Sequence, residues 1–129
     1  MLAPFYDDLD DNVGIEPFNV YSYYDQDNHR FIIEWDNIAN GHNDDLCPDG
    51  CDRETFQLIL FDPNHNINGS DGIILFQYKE IHDVDDHGST IGIESPDKNQ
   101  GVEYLFNYSH HDNASGLSNE LAIVFTTEL

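Results

Sequence analysis

The chain contains few positively charged residues. Four lysines and arginines stand against 26 aspartates and glutamates in 129 residues, which gives a formal net charge of −22. A nucleic-acid-binding protein needs cationic groups to displace the counterions of the phosphates, and anionic membrane surfaces attract the same groups. The composition therefore argues against nucleic acid and membranes as partners. It suits a protein that binds divalent cations, tolerates high salt or stays soluble by mutual repulsion.

Long apolar segments are also missing. No run of about 18 apolar residues is present, so we expect no membrane-spanning helix. The first residues lack the basic start and apolar core of a signal peptide, so either processing has removed one or Met1 is not the biological start. The length fits one domain, residues 1–129, with a single core.

Only two cysteines occur, Cys47 and Cys51, and a Pro-Asp-Gly turn separates them. Such a turn brings the two sulfurs back toward each other, which predicts a disulfide and an oxidising compartment. Closing so short a loop stabilises the fold by about 2 kcal/mol in the chain-entropy model. The alternative is a zinc site made by both cysteines and His42, which lacks an evident fourth ligand.

Short stretches of alternating side chains recur along the chain. In Thr55–Asp62 both alternating sets are apolar, which predicts a central strand. Val20–Tyr24 and Arg30–Asp36 flank a five-residue turn and predict a β-hairpin. Eight such strands without an amphipathic helix predict an all-β, antiparallel sandwich of the jelly-roll or immunoglobulin-like type. The other five predicted strands are Leu2–Tyr6, Gly72–Lys79, Ser89–Glu94, Val102–Tyr108 and Leu121–Thr127.

Six stretches of the chain form an ordered set of motifs. They are Ala3–Leu9, Phe31–Asn37, Thr55–Asp62, Ile74–Tyr78, Thr90–Glu94 and Ala122–Thr126. Together they resemble a β-sandwich module of large secreted bacterial surface proteins, whose pattern reads A-P-F-W-D-D-L, then W-D, then T-F-Q and a hydrophobic residue. The chain is more distantly similar to the nidogen-like domain of extracellular matrix proteins. The resemblance implies an extracellular, non-catalytic role in adhesion or structure, and it brings no catalytic residues.

The chain departs from this pattern at its start. In the family, one or more strands precede the A-P-F-W-D-D motif, whereas here the chain begins on the corresponding Ala3–Leu9. Either the sequence is a fragment, or another subunit supplies the missing strand. A sandwich that lacks a strand exposes an unpaired edge, which is a template for another chain. Strand exchange between subunits would create a head-to-tail fibre.

The acidic loops suggest calcium rather than catalysis. No hydrolase motif such as Gly-x-Ser-x-Gly or His-Glu-x-x-His is present, so we predict no enzyme. Residues 83–88 followed by Glu94 have nearly the spacing of an EF-hand loop, although His87 replaces an acidic or amide residue and strands replace the helices. A second acidic cluster follows the first strand. The predicted metal ligands are Asp83, Asp85, Asp86, Glu94, Asp7, Asp8, Asp10 and Asp11.

Two further kinds of surface site are predicted. Three Asn-x-Ser/Thr sequons, at Asn68, Asn107 and Asn113, lie in or beside predicted loops and are candidates for glycosylation. The aromatic residues of the first hairpin and a later strand pack in the core or, alternatively, form a platform for sugar. The residues of that platform are Tyr21, Tyr23, Tyr24, Trp35 and Tyr78, with glycan contact expected at Tyr23, Tyr24 and Tyr78.

Together these patterns predict a secreted, non-enzymatic β-sandwich module that serves in surface structure or adhesion. Its expected partners are further copies of itself or other surface proteins, as the repeating subunit of a fibre joined by strand exchange, by calcium or by both. One alternative is a carbohydrate-binding module of a larger secreted protein. Another is an acidic domain of a halophile that has no specific metal site.

Overall fold

The computed structural model of the chain describes residues 1–10, 18–40, 53–65, 72–82, 88–107 and 109–127. Among these residues there are ten strands, one short 3-10 helix at Pro63–His65 and no α-helix. None of them belongs to a helix that could cross a membrane. The strands are β1 (Leu2–Tyr6), β2 (Leu9–Asp10), β3 (Asn19–Asp25), β4 (Arg30–Asn40), β5 (Arg53–Phe61), β6 (Ile74–Glu80), β7 (Thr90–Glu94), β8 (Gly101–Phe106), β9 (Ser109–His110) and β10 (Ala122–Phe125).

These strands form two antiparallel sheets. The first sheet has the order β10-β6-β5-β4-β2, and β3 also pairs with β4. The second sheet has the order β1-β7-β8-β9. The predicted all-β sandwich is confirmed, and all eight predicted strands are present. The two additional strands, β2 and β9, are only two residues long.

The strand predicted to be central, β5, does lie between two partners, β4 and β6. Phe56 and Leu58 point into the core, while Ile59 is on the opposite face and is still only 2% exposed. Apolar side chains are therefore covered on both faces of β5. This is the property from which its central place was predicted.

Aromatic rings fill the centre of the core. The ring centroid of Phe56 lies 5.0 Å from that of Trp35, 5.6 Å from Phe5 and 6.5 Å from Tyr78. The hydroxyl of Tyr78 on β6 donates a 2.5 Å hydrogen bond to the carbonyl oxygen of Pro4 on β1, which connects the two sheets. Burial raises the pKa of the Tyr78 phenol. The hydroxyl therefore remains protonated and able to donate.

Aspartates shape three of the turns. The Asp25 carboxylate accepts hydrogen bonds from the side chain of Asn28 at 2.9 Å and from Nε of Arg30 at 2.8 Å, inside the β3–β4 turn. Asp62 accepts comparable bonds from the amide of Asn64 and the ring of His65, and Asp97 accepts them from the hydroxyl of Ser95 and the amide of Asn99. These bonds favour the charged carboxylates, so they hold the pKa values of all three below the usual range. Part of the acidic surplus thus serves turn formation.

We expect the Asp25→Asn variant to lose less stability in acid than the native chain. A carboxyl group whose pKa is lowered by folding stabilises the fold above its unfolded pKa of about 3.9, and that contribution disappears as the pH falls through the folded value. Asp25→Asn should therefore have a lower urea midpoint at pH 7, with a smaller difference from the native chain at pH 3. Asp27→Asn, in the same turn, removes an equal charge and is the control. An equal difference at both pH values would contradict the role given to Asp25.

Candidate functional site

The strand β3 has a partner on one side only. Its seven residues, Asn19–Asp25, pair in register with Asp36–Arg30 of β4. No strand pairs with the other side of β3 among the residues that the structure describes. The backbone amide and carbonyl groups along that side, here called the free edge of β3, are therefore available to an added strand.

The sequence of β3 gives this edge little protection. Asn19–Tyr24 contains no charged residue, in a chain with 26 acidic side chains. Edge strands are usually protected by proline, by short length or by charge. Within the described part of the chain, β1 contains Pro4, β9 has two residues and β10 has four. The free edge of β3 is thus the longest of these edges and the most open to pairing.

Both faces of β3 are exposed as well. Val20 pairs with Trp35, so Val20 and Tyr24 lie on the face that elsewhere contacts the second sheet, yet each is 50% exposed. Tyr21 and Tyr23 lie on the opposite face and are 51% and 64% exposed. The described residues of the second sheet therefore do not cover β3. The strand presents an open backbone edge between two partly apolar faces.

The predicted acidic cluster after β1 lies beside a buried side-chain amide, that of Asn40. Oδ2 of Asp7 accepts a 3.1 Å hydrogen bond from Nδ2 of Asn40, and Oδ1 of Asp7 accepts one from the amide of Asp8. Asn40 is 4% exposed, and its Oδ1 has no hydrogen-bond partner among the residues that the structure describes. A buried acceptor without a partner is costly, and an amide oxygen is a ligand that calcium accepts. The Asp7–Asn40 pair therefore offers carboxylate and amide oxygens close together.

The sheet also brings together described residues that flank three segments outside the description. Asp10 and Arg53 both pair with Ala39, and the amide of His82 donates a 2.9 Å hydrogen bond to the fully buried Glu54. These residues, which flank segments 11–17, 41–52 and 83–87, therefore lie at one end of the sandwich, here called the acidic end. These segments hold nine of the 26 acidic residues. Four of the predicted ligands, Asp11, Asp83, Asp85 and Asp86, lie outside the described residues.

The other predicted ligands occupy separate places. Asp8 is exposed beside Asp7, and Asp10 lies in β2. Glu94 ends β7, about 13 Å along the strand from Thr90, and its backbone pairs with Met1. The strand thus carries Glu94 away from Gly88, where an EF-hand loop would turn back. The described residues contain no group of three or more histidine, cysteine, aspartate or glutamate side chains placed to hold a metal ion.

Some residues of the predicted disulfide and glycosylation sites lie outside the part of the chain that the structure describes. Cys47, Cys51, His42 and Asn68 lie outside the described residues. Asn107 is exposed in the turn after β8, with a φ of 44°, and Asn113 is exposed in the loop after β9. Both asparagines are therefore accessible to a modifying enzyme, and their glycosylation stays a prediction.

The prediction of glycan contact does not hold for Tyr78. Its side chain is 2% exposed, between the two sheets, and its hydroxyl is bound to Pro4. Trp35 also packs against the core, where its ring stacks on Phe56. Alternation placed both rings on strands, but it could not distinguish the inner face from the outer one. Tyr23 and Tyr24 are exposed, on opposite faces of β3.

Sequence reasoning did not single out the buried polar groups at the acidic end. Asn40 and Glu54 stand at the end of β4 and near the start of β5, where they look like ordinary loop-flanking residues. The only available signal was a polar side chain at a strand position that alternation assigns to the inner face. Their burial depends on which strands become neighbours, and periodicity does not report that.

Comparisons of the chain with protein-family models, with curated proteins and with solved structures gave no match. The resemblance to secreted surface modules thus stays a prediction that rests on the six stretches named above.

Proposed function

We propose that this chain is a non-enzymatic structural or adhesion module of the cell surface, and that it self-associates by adding a strand at the free edge of β3. The observation that supports this most is the seven-residue edge, whose first six residues, Asn19–Tyr24, are uncharged, with exposed tyrosines on both faces. An added strand gains main-chain hydrogen bonds from the edge and side-chain contacts from the faces.

The partner strand in this proposal is β10 of a second copy. β10 is the opposite edge strand of the same sheet, it is uncharged, and its Val124 is 56% exposed. Pairing β3 of one copy with β10 of the next extends a single sheet from molecule to molecule. Because the two surfaces differ, the contact is head-to-tail, and it produces a fibre when successive rotations do not close a ring.

Charge sets the conditions for this association. Each copy has a formal charge of −22, so approaching copies repel one another until ions screen or neutralise the carboxylates. Association is therefore expected at physiological or higher ionic strength, and calcium should promote it beyond the effect of ionic strength alone. An extracellular location, where calcium and salt are abundant, fits the same proposal.

We expect Ser22→Lys to prevent the assembly. Ser22 is exposed in the middle of β3, and a lysine there places a charged side chain beside an edge that must be desolvated on pairing. Light scattering at physiological salt should give large particles for the native chain and a 14.8 kDa monomer for the variant. Val124→Lys on β10 should have the same effect.

The matched control is Val102→Lys, which adds the same charge at an exposed position of β8 in the second sheet. It should assemble as the native chain does. A native chain that stays monomeric in both salt and calcium would contradict the proposal. The native chain could instead form closed dimers that Ser22→Lys dissociates and Val124→Lys leaves intact. That result would show a two-fold β3–β3 contact in place of the fibre.

Calcium binding at the acidic end is the second part of the proposal. It is supported by Oδ1 of Asn40, which has no hydrogen-bond partner among the described residues and belongs to the side chain that binds the Asp7 carboxylate, and by the nine acidic residues of the three segments that adjoin this end in sequence. A cation would neutralise carboxylates and give the buried amide oxygen a partner. Asp7 and Asn40 are the described residues that we assign to it.

We expect calcium to raise the unfolding midpoint of the native chain. At a free calcium concentration 100 times the Kd, the stabilisation should be about 2.7 kcal/mol. Asp7→Asn should lose most of this gain, whereas Asp97→Asn, in a turn of the second sheet, should keep it. Measurements in constant sodium chloride separate binding from screening. Stability that rises with potassium chloride and ignores EDTA would instead identify an acidic domain of a halophile.

A further inference from the structure

A row of polar side chains crosses three strands on the outer face of the first sheet. Glu34 pairs with Gln57, and Gln57 pairs with Gln77, so the three side chains lie on one line across β4, β5 and β6. Nε2 of Gln57 donates a hydrogen bond to Oε2 of Glu34. Tyr21 pairs with Glu34 and extends this polar row at one end, and Ala122 pairs with Gln77 at the other.

A cleft of about 260 Å³ lies over the polar row. Lys79 and Glu120 also line it, and the small side chain of Ala122 leaves space beside Gln77. The volume is close to the lower limit of small-molecule sites, which is about 300 Å³. The cleft therefore has room for a short segment of a ligand, and its open sides allow a longer chain to continue across the sheet.

The donors and acceptors of this cleft suit hydroxyl groups. Carboxylates accept hydrogen bonds, the ammonium group of Lys79 donates them, and the two glutamine amides do both. Neighbouring strands are about 4.8 Å apart, so these groups recur at a spacing similar to the width of one sugar ring. Tyr21, 51% exposed, offers a ring face for the apolar side of a sugar. Glu34 and Glu120 repel anionic ligands, and the chain as a whole is strongly negative.

We infer that the cleft over the polar row binds a neutral oligosaccharide, with hydroxyls bound by Glu34, Gln57 and Gln77 and a ring stacked on Tyr21. Of the three tyrosines predicted to contact glycan, Tyr24 and Tyr78 lie on the inner face, whereas Tyr23 shares the outer face with Tyr21. Assembly adds a strand at the edge of β3, whereas the hydrogen-bonding groups assigned to the sugar lie on β4, β5 and β6. Binding therefore does not depend on self-association.

The test is an array of neutral hexasaccharides of glucose, mannose, xylose and N-acetylglucosamine, followed by calorimetric titration of the best one. Gln77→Ala and Tyr21→Ala should each weaken binding at least 10-fold. Both residues are exposed, so the variants should keep the native melting temperature. Two control variants should bind as the native chain does: Gln100→Ala, at an exposed amide in the turn between β7 and β8, and Tyr24→Ala, on the other face of β3.

Two results would overturn the inference. One is an array without any binding by a native, folded chain. The other is binding that Tyr24→Ala weakens and that Gln77→Ala and Tyr21→Ala leave unchanged, which would place the sugar on the inner face. The monomeric Ser22→Lys variant should retain full sugar affinity. Sugar binding is therefore measured independently of assembly, and either proposal can fail while the other holds.

Discussion

Replacing Phe56 by alanine should lower the free energy of unfolding by about 4 kcal/mol. Phe56 is 1% exposed, and its ring lies among the rings of Phe5, Trp35 and Tyr78 from three other strands. Alanine removes these contacts and leaves a cavity that neighbours anchored in two sheets cannot fill. The loss is a large part of the 5–15 kcal/mol that a domain of this size typically has.

Urea unfolding followed by tryptophan fluorescence measures this loss, because Trp35 is the single tryptophan and stacks on Phe56. Phe106→Ala is the control. Phe106 lies in β8 and is 53% exposed, so its replacement should change the stability by less than about 1 kcal/mol. Similar losses for the two variants would mean that Phe56 is not the centre of the core.

Gly92→Ala should have the second largest effect, a loss of about 3 kcal/mol, because β8 approaches β7 too closely for a side chain at this position. A Cβ atom at Gly92 would lie 2.5 Å from the carbonyl oxygen of Val102 and 3.2 Å from Cα of Glu103. Both atoms belong to the backbone, so neither can rotate away. The register between β7 and β8 shifts beside Gly92, and that irregularity depends on the close approach.

Gly116→Ala is the matched control for this substitution. The nearest atom to a Cβ there is Nε2 of His110 at 3.9 Å, an ordinary contact. Thermal and urea unfolding of the two variants should differ by several kcal/mol, with Gly116→Ala close to the native chain. If Gly92→Ala were equally harmless, the β7–β8 geometry described above would be wrong.

The sequence predicted those parts of the fold that depend on local pattern. β5 could be placed in the centre because its two alternating sets of side chains are both apolar. A strand with two apolar faces is stable only when other parts of the protein bury both of them. The β3–β4 hairpin followed from two alternating runs around a turn in which Asp25 and Asn28 form a hydrogen bond. The turn itself has four residues, one fewer than predicted.

Features that depend on long-range neighbours could not be predicted in this way. The inner position of Tyr78 follows from its pairing with Phe56 and from the carbonyl of Pro4, 74 residues earlier. The exposure of Tyr24 follows from the limited extent of the second sheet, which no periodicity encodes. The same holds for the Asp7–Asn40 pair, whose members are 33 residues apart. The sequence could therefore supply candidate residues for a site, whereas their contacts with one another became known only from the structure.

The central claim, that another copy of the chain pairs with the free edge of β3, is tested most directly by amide hydrogen exchange. The native chain at assembling salt is compared with the monomeric Ser22→Lys variant under the same conditions. The account predicts that every second amide of Asn19–Asp25, those pointing away from β4, exchanges far more slowly in the assembled chain. Large particles in which these amides exchange as fast as in the monomer would show that another surface holds the copies together.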